Sequence, residues 1–301
     1  MKISFITPFY EGNIYMPDYQ DMMEKNEEKL KASNAVDDTD LYMEVILVND
    51  SPGTAIRLDG IYTGRENWHI ITNKKNMGIH GSRVAGLAVA TGDVVCFLDQ
   101  DDKIRPETAF EMLRAAQRHP YKVIVANGDF EIKNELHRIY RTDAHKAMIG
   151  ELSAYIKVGT QIISPGQCAI PRSVIPEFWC ENIMGKNGAD DYFLWLLLLG
   201  QGIGFHYLDR NLYIHSYTGD NLSADTRVTD ESSYEFIDMM GNGSFLSDDE
   251  LRKLRRMISY KADFRRAGLM GKLGLTLKNP DIFAANLIYK LRTKTPYGYN
   301  R

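Results

Sequence analysis

The sequence predicts an α/β protein with a mostly parallel central sheet flanked by helices, followed by a C-terminal helical extension. Three observations lead to that class. Short apolar runs alternate with helix-patterned segments in the order strand, helix, strand, linker, strand, helix, strand, the pattern that builds a parallel sheet with helical crossovers. Three of those runs end in residues that carry chemistry: Thr7-Pro8-Phe9-Tyr10, Asn49-Asp50, and Asp99 to Asp102. In a parallel sheet these ends share one edge, where ligands of open α/β folds bind. Finally, the charge changes sign late in the chain: residues 251–301 hold 13 Lys or Arg against 2 Asp, whereas residues 1–250 hold 23 against 38 acids.

Taken in order, residues 2–7 form a first strand stopped by Pro8, and residues 43–48 a second stopped by Asn49-Asp50-Ser51-Pro52-Gly53. Between them residues 17–35 place Lys and Glu at helical spacing and read as a solvated helix. Residues 68–72 make a third strand. Residues 78–90 read as a helix with Val84, Leu87 and Ala88 on one face, Gly86 permitting close packing and Gly92 as its stop. The run Val94 to Leu98 is then a buried strand that delivers Asp99, Asp101 and Asp102 to its carboxyl end.

Beyond it a helix is expected over 106–118, with Phe110, Leu113 and Ala116 at core spacing. Short strands are expected over 123–126, 129–133 and 136–141, the last pair around Asn134-Glu135, and a helix near 152–157. The loop 185–191 leads into a helix that holds the run Phe193-Leu194-Trp195-Leu196-Leu197-Leu198-Leu199. Residues 205–208 and 212–215 read as two short strands, 216–226 as a polar loop and 231–250 as a boundary. Ser247-Asp248-Asp249-Glu250 fits a capping box, and Leu251, Leu254, Met257, Ile258 and Phe264 mark one face of the helix that follows. A last helix covers 280–292. The domains expected are 1–230, in two halves over 1–105 and 106–230, and a basic helical extension over 231–301.

Composition sets outer bounds. At 301 residues, 44% hydrophobic and 25% charged, the chain can bury a sizeable core. Cys96, Cys168 and Cys180 lack metal-type spacing, which suits a reducing compartment. The N-terminus reads as a strand and not as a signal peptide, and the Leu run is too short to span a bilayer, which takes about 20 apolar residues. A cytoplasmic protein is expected, with a peripheral position at the inner face of the cell membrane, or a homodimer, available to the basic helices. Nucleic acid ranks last as a partner, because no aromatic residues interleave with those charges to stack bases.

Neighbouring carboxylates repel and raise each other's pKa, so three within four residues of a strand end need a reason. A hard divalent cation, Mg²⁺ or Mn²⁺, supplies one, with substrate phosphates completing its shell. The same acids could also do no more than solvate a strand end. Asp190-Asp191 could likewise serve only the dipole of the helix they start, and His215 could be a satisfied structural residue. There is no Gly-x-Gly-x-x-Gly after the first strand and no Gly-Lys-Ser/Thr phosphate loop, so a nucleotide would be held by side chains and metal.

With these pieces in place the sequence resembles the inverting family 2 glycosyltransferases of the bacterial surface-glycan type. The residues that carry the likeness are Thr7-Pro8-Phe9-Tyr10; Val48-Asn49-Asp50-Ser51; Asn76-Met77-Gly78 through Arg83, Gly86 and Thr91-Gly92-Asp93 to Phe97-Leu98-Asp99-Gln100-Asp101-Asp102; Ala189-Asp190-Asp191-Tyr192-Phe193-Leu194-Trp195; and His215 with Asn221-Leu222-Ser223. The resemblance implies a GT-A fold, a UDP-sugar donor, Mn²⁺ or Mg²⁺, and transfer to a glycan, lipid-linked saccharide or glycoprotein. It implies a nucleotide site of Thr7, Pro8, Tyr10, Asp50, Arg83, Asp99 and Gln100, metal ligands Asp101 and His215, a catalytic base in Asp191, and acceptor contacts at Asp190 and Gln167. The Gln-x-x-Arg-Trp motif of processive synthases is absent, so a single transfer is expected. A sugar nucleotidyltransferase and a catalytically lapsed binding scaffold are the alternatives.

Overall fold

The computed structural model describes residues 1–133, 135–216 and 226–294. The chain divides into two compact units, each assembled from separate stretches. The first comprises Met1–Ile139, Ser164–Ile183 and Ile203–Asp220; the second comprises Tyr140–Ile163, Met184–Gly202 and Asn221–Arg301.

The strands are β1 Lys2–Phe9, β2 Tyr42–Asn49, β3 Trp68–Thr72, β4 Val94–Phe97, β5 Lys103–Ile104, β6 Val123–Ile132, β7 Glu135–Arg138, β8 Cys168–Pro171 and β9 Phe205–Ser216. The helices are α1 Met16–Asp37, α2 Gly78–Val89, α3 Thr108–Arg118, α4 Asp143–Met148, α5 Leu152–Lys157, α6 Glu177–Glu181, α7 Asp190–Gly200, α8 Thr226–Met240, α9 Asp248–Arg266, α10 Leu269–Lys278 and α11 Pro280–Thr293.

All the strands lie in the first unit, in the order β3-β2-β1-β4-β8-β6-β9-β5, with β7 paired to β6. β1, β2, β3 and β4 are parallel to one another, and β8 is antiparallel to both β4 and β6. A sheet covered on both faces needs apolar residues at successive positions. Accordingly Ile3, Phe5 and Ile6 of β1, Val45 to Val48 of β2 and all four residues of β4 are buried. α2 lies directly on this layer, because Gly86 leaves no room for more: a Cβ there would sit 2.3 Å from Ile6 Cγ2 and 3.0 Å from Val48 Cγ2.

The one buried acid of this layer is Glu44, which fastens the end of α2 to the sheet. Its carboxylate accepts from Ser4 Oγ at 2.6 Å, Lys2 Nζ at 2.9 Å and the Thr91 amide at 2.7 Å. Burial works to raise its pKa, and these hydrogen bonds together outweigh burial and hold it down at about 2.

Three expectations change. The segments 123–126 and 129–133 are one strand, β6, and 205–208 and 212–215 are one strand, β9. The pairing of β6 with β9 shifts register on both sides of Asn127, so that Asp209 and Arg210, and then Leu212, are passed over between partners. Gly128 is needed there because a Cβ would lie 2.7 Å from the Tyr213 carbonyl oxygen. Helix α3 starts at Thr108, and Phe110 stands half-buried beneath the Arg114 guanidinium, 5.5 Å from its ring centre, while Ala109, Met112, Leu113 and Ala116 take the core. The first half of the stretch 231–250 belongs to helix α8 and its last three residues to α9. Asn134 of the expected hairpin turn lies outside the described residues.

The second unit is helical. The Leu run makes α7 a helix buried on every side, with Phe193 stacked on Phe236 of α8 at 5.9 Å and the Tyr192 hydroxyl donating to the Tyr155 carbonyl at 2.6 Å. Ser247 and Glu250 form the expected capping box at the start of α9, whose Leu254, Met257 and Ile258 are buried. Among the described residues no helix is long and apolar enough to cross a membrane.

Candidate active site

The carboxyl ends of β1, β2 and β4 lie on one edge of the first unit's sheet, and the loops that leave them are tied together by side chains. Asp50, buried just past β2, accepts from Asn73 Nδ2 at 2.8 Å and from the Met77 amide at 2.7 Å, which draws the loop before α2 against the edge. Gln100, just past β4, clasps the loop after β1: its Oε1 accepts from the Tyr10 amide at 3.0 Å and its Nε2 donates to the Tyr10 carbonyl at 3.2 Å. Tyr10 itself is exposed. Gly12 leaves the space that this amide fills, for a Cβ there would lie 2.1 Å from Gln100 Oε1. Arg83 reaches from α2, almost wholly buried, and ion-pairs with Asp99 at 2.6 Å.

Asp101 and Asp102 diverge in role. Asp102 is buried and gathers four donors. The Tyr213 hydroxyl bonds its Oδ2, Ser164 Oγ lies 3.3 Å from the same atom, His215 Nδ1 lies 3.0 Å from Oδ1, and the Ser216 amide is 3.3 Å from Oδ1. A carboxylate facing Nδ1 selects the tautomer with its hydrogen there, which makes Nε2 the ligating atom of the ring. Burial alone would lower the His215 pKa, but Asp102, with Asp99 and Asp101 behind it, raises it. Asp101 is pushed up to about 7, first by burial and then by the charges of Asp102 and Asp99. Like charge so concentrated fits a cation: a divalent ion would relieve the repulsion that now favours protonation of Asp101. Among the described residues no three His, Cys, Asp or Glu side chains form a complete metal cage.

Other expected residues lie differently. Thr7 is fully buried, with its Oγ1 2.7 Å from the Tyr19 hydroxyl, so its side chain faces the core beneath the edge; Pro8 is half-buried beside it in β1. Gln167 is fully buried in a short 3₁₀ turn, where its Nε2 donates to the Ala126 carbonyl at 3.2 Å and its Oε1 completes a capping box with Ser164. Asn221-Leu222-Ser223 lie outside the described residues. In the second unit, Asp190 and Asp191 occupy the first turn of α7, where the macrodipole favours their charge. Asp190 is buried, and Asp191 Oδ1 accepts from the Tyr192 amide at 2.7 Å.

Sequence reasoning missed the orienting role of Asp102 and its partners Tyr213 and Ser164. The signal available was the alternation along β9: Tyr213 and His215 are two apart and so share one face of the strand.

Solved structures of S. aureus TarS superimpose over almost the whole chain. The complex of TarS residues 1–349 with UDP gives a TM-score of 0.61 at 15% identity over 98% of this chain and 88% of that one; the complex with UDP-GlcNAc gives 0.56 at 16% identity over 97% and 82%. This likeness shows the fold, which is the expected GT-A fold. The EpsH protein of Bacillus subtilis (strain 168) is 32% identical over 75 residues, 25% of this chain and 22% of that relative's length. The model for "Glycosyl transferase family 2" matches residues 4–179, which take in the Asp50, Arg83 and Asp99 to Asp102 segments and more than half of the chain. This chain therefore belongs to glycosyl transferase family 2.

Proposed function

We propose that this protein is a divalent-metal-dependent, inverting, non-processive glycosyltransferase. It moves one sugar from a UDP-sugar to an acceptor hydroxyl on a glycan, a lipid-linked saccharide or a glycoprotein. The observation that carries the reading is the strand-edge cluster, where Asp101 is pushed up to about 7 beside Asp99 and Asp102 while Asp102 holds His215 by Nδ1. TarS, solved with UDP and with UDP-GlcNAc on the same fold, supports a uridine donor.

In this reading Asp50, with the neighbouring Tyr10, receives the nucleoside, and Arg83 and Asp99 orient the ribose and diphosphate. Asp101 and His215 Nε2 would hold Mn²⁺ or Mg²⁺, which when bound would supply positive charge for the departing nucleotide diphosphate. Asp191 takes the proton from the acceptor hydroxyl as that oxygen attacks, and Asp190 contacts the acceptor. Side-chain recognition replaces a phosphate loop, consistent with the absence of a Gly-rich, Lys-containing motif near the N-terminus.

Calorimetric titration of UDP with and without Mn²⁺, on the wild type and on Asp101→Ala, tests the donor site. Binding that needs both the ion and Asp101 is expected. Equal binding of UDP without the ion, or by Asp101→Ala, removes the metal from the reading. No binding in any condition rejects UDP, and titration of GDP, CMP and TDP then separates another donor from a lapsed enzyme.

A further inference from the structure

Helices α10 and α11 of the second unit carry apolar faces that their own packing leaves exposed. α10 buries none of its residues. On a helix that turns about 100° per residue, Leu269, Met270, Leu273 and Leu277 fall within about a third of the circumference, and Leu269 and Leu277 are 86% and 73% exposed. Lys272 flanks this stripe on one side and Lys278 on the other.

α11 is pinned by its opposite face. Ile282, Tyr289 and Thr293 are buried, and the Tyr289 hydroxyl lies 3.0 Å from His145 Nε2 of α4. The Thr142 hydroxyl donates to the Arg292 carbonyl at 2.8 Å. The other side presents Phe283, Leu287, Ile288 and Leu291, all exposed, with Lys290 and Arg292 at its margins. A helix held by one apolar face that shows a second apolar face outward is built for a partner.

Charge identifies that partner. Between Ala267 and Lys294 the single acid is Asp281, and its carboxylate is bonded by the Arg256 guanidinium. The rim of the apolar faces is thus cationic. A second copy seated symmetrically on this surface would set Lys272, Lys278, Lys290 and Arg292 against themselves. A nucleic acid would match the charge and leave the leucines in water. A sheet of acidic phospholipids meets both demands, since it offers negative headgroups above hydrocarbon. The two helices, 10 and 14 residues long, are too short to span a bilayer and suit a position in its interfacial plane.

We propose that α10 and α11 dock this protein on an anionic lipid bilayer, with the exposed leucines entering the headgroup boundary and the four flanking cations meeting lipid phosphates. The proposal stands apart from the sugar-transfer reading, since none of its residues belongs to the donor site.

Flotation of the full chain with vesicles tests it. Vesicles of equal parts phosphatidylcholine and phosphatidylglycerol should carry the wild type upward, vesicles of phosphatidylcholine alone should not, and high salt should release it. Two variants, Leu273→Asn with Leu287→Asn and Leu291→Asn, and Lys290→Glu with Arg292→Glu, should each lower partitioning at least about ten-fold. An unchanged far-UV circular dichroism spectrum shows that the variants fold. The proposal is overturned if the wild type stays unbound to the anionic vesicles, or floats equally well with both compositions. It is also overturned if the variants partition as the wild type does, or if sedimentation shows a dimer that the same substitutions dissociate, which would make the face a self-association surface.

Discussion

Glu44 shows how one side chain holds a whole edge in place. It is nearly inaccessible, yet three donors from β1, α2's exit and the chain's second residue keep it charged, with its pKa held at about 2 against an ordinary value of 4.5. Because the folded value lies below the unfolded one, this contribution to stability is complete above about pH 4.5 and fades as pH falls towards 2. Glu44→Gln keeps the shape and removes the charge. It should cost on the order of 2 kcal/mol at pH 7, and the difference from wild type should shrink at pH 3. Urea unfolding at the two pH values measures this, and a difference independent of pH would place the cost in packing instead. A residue-scale division also runs through the acidic run itself: Asp99 pairs with Arg83, Asp101 carries the raised pKa, and Asp102 orients His215. Three acids within four residues of sequence thus become three separate devices once the strand end fixes their directions.

At the scale of elements, close contact between backbone layers decides what a sequence reveals. Helix α2 and the strands β1, β2 and β4 were readable from their apolar runs; Asn49-Asp50 and Asp99 mark the ends of β2 and β4, whereas β1 does not stop at Pro8 but runs through it, paired with Val48, to Phe9. Gly86 was readable as a packing residue, and its Cβ position 2.3 Å from Ile6 Cγ2 makes the consequence concrete. Gly86→Ala should therefore destabilise the protein by about 1–3 kcal/mol, since the helix must lift from the sheet, and a urea midpoint unchanged from wild type would mean that the layer yields at no cost. Gly128 and the polar residues 209–211 misled for the same physical reason. A glycine and a polar cluster usually break strands, but here they let β6 and β9 approach and shift register. The orientation of His215 by Asp102 was not legible, because residues 113 apart in sequence meet only through the short antiparallel pairing of β5 with β9. Helix α10 was missed as well: its two glycines and lack of any buried residue leave no core-facing pattern to detect.

For the molecule as a whole, the proposed tasks fall on different units. Asp50, Arg83, Asp99, Asp101 and His215 belong to the sheet-bearing unit, while Asp190 and Asp191 belong to the helical one, as do α10 and α11. The family match spans residues 4–179 and stops before Asp190 and His215, so the proposed base lies outside the matched segment and needs a direct test. Asp191 sits at the start of a helix whose next nine residues are apolar or glycine. A carboxylate can accept a proton from an attacking hydroxyl, and Asp191 has no part in holding a nucleotide in the proposed scheme. Asp191→Asn preserves shape and the hydrogen bond from Tyr192 while removing basicity. It should therefore bind UDP with Mn²⁺ as the wild type does and lose about 10²–10⁴-fold in transfer rate to any acceptor that a panel of saccharides identifies. Paired calorimetry and transfer assays give the two numbers. A variant that loses both would make Asp191 part of the donor site, and one that keeps both would move the base elsewhere in the chain.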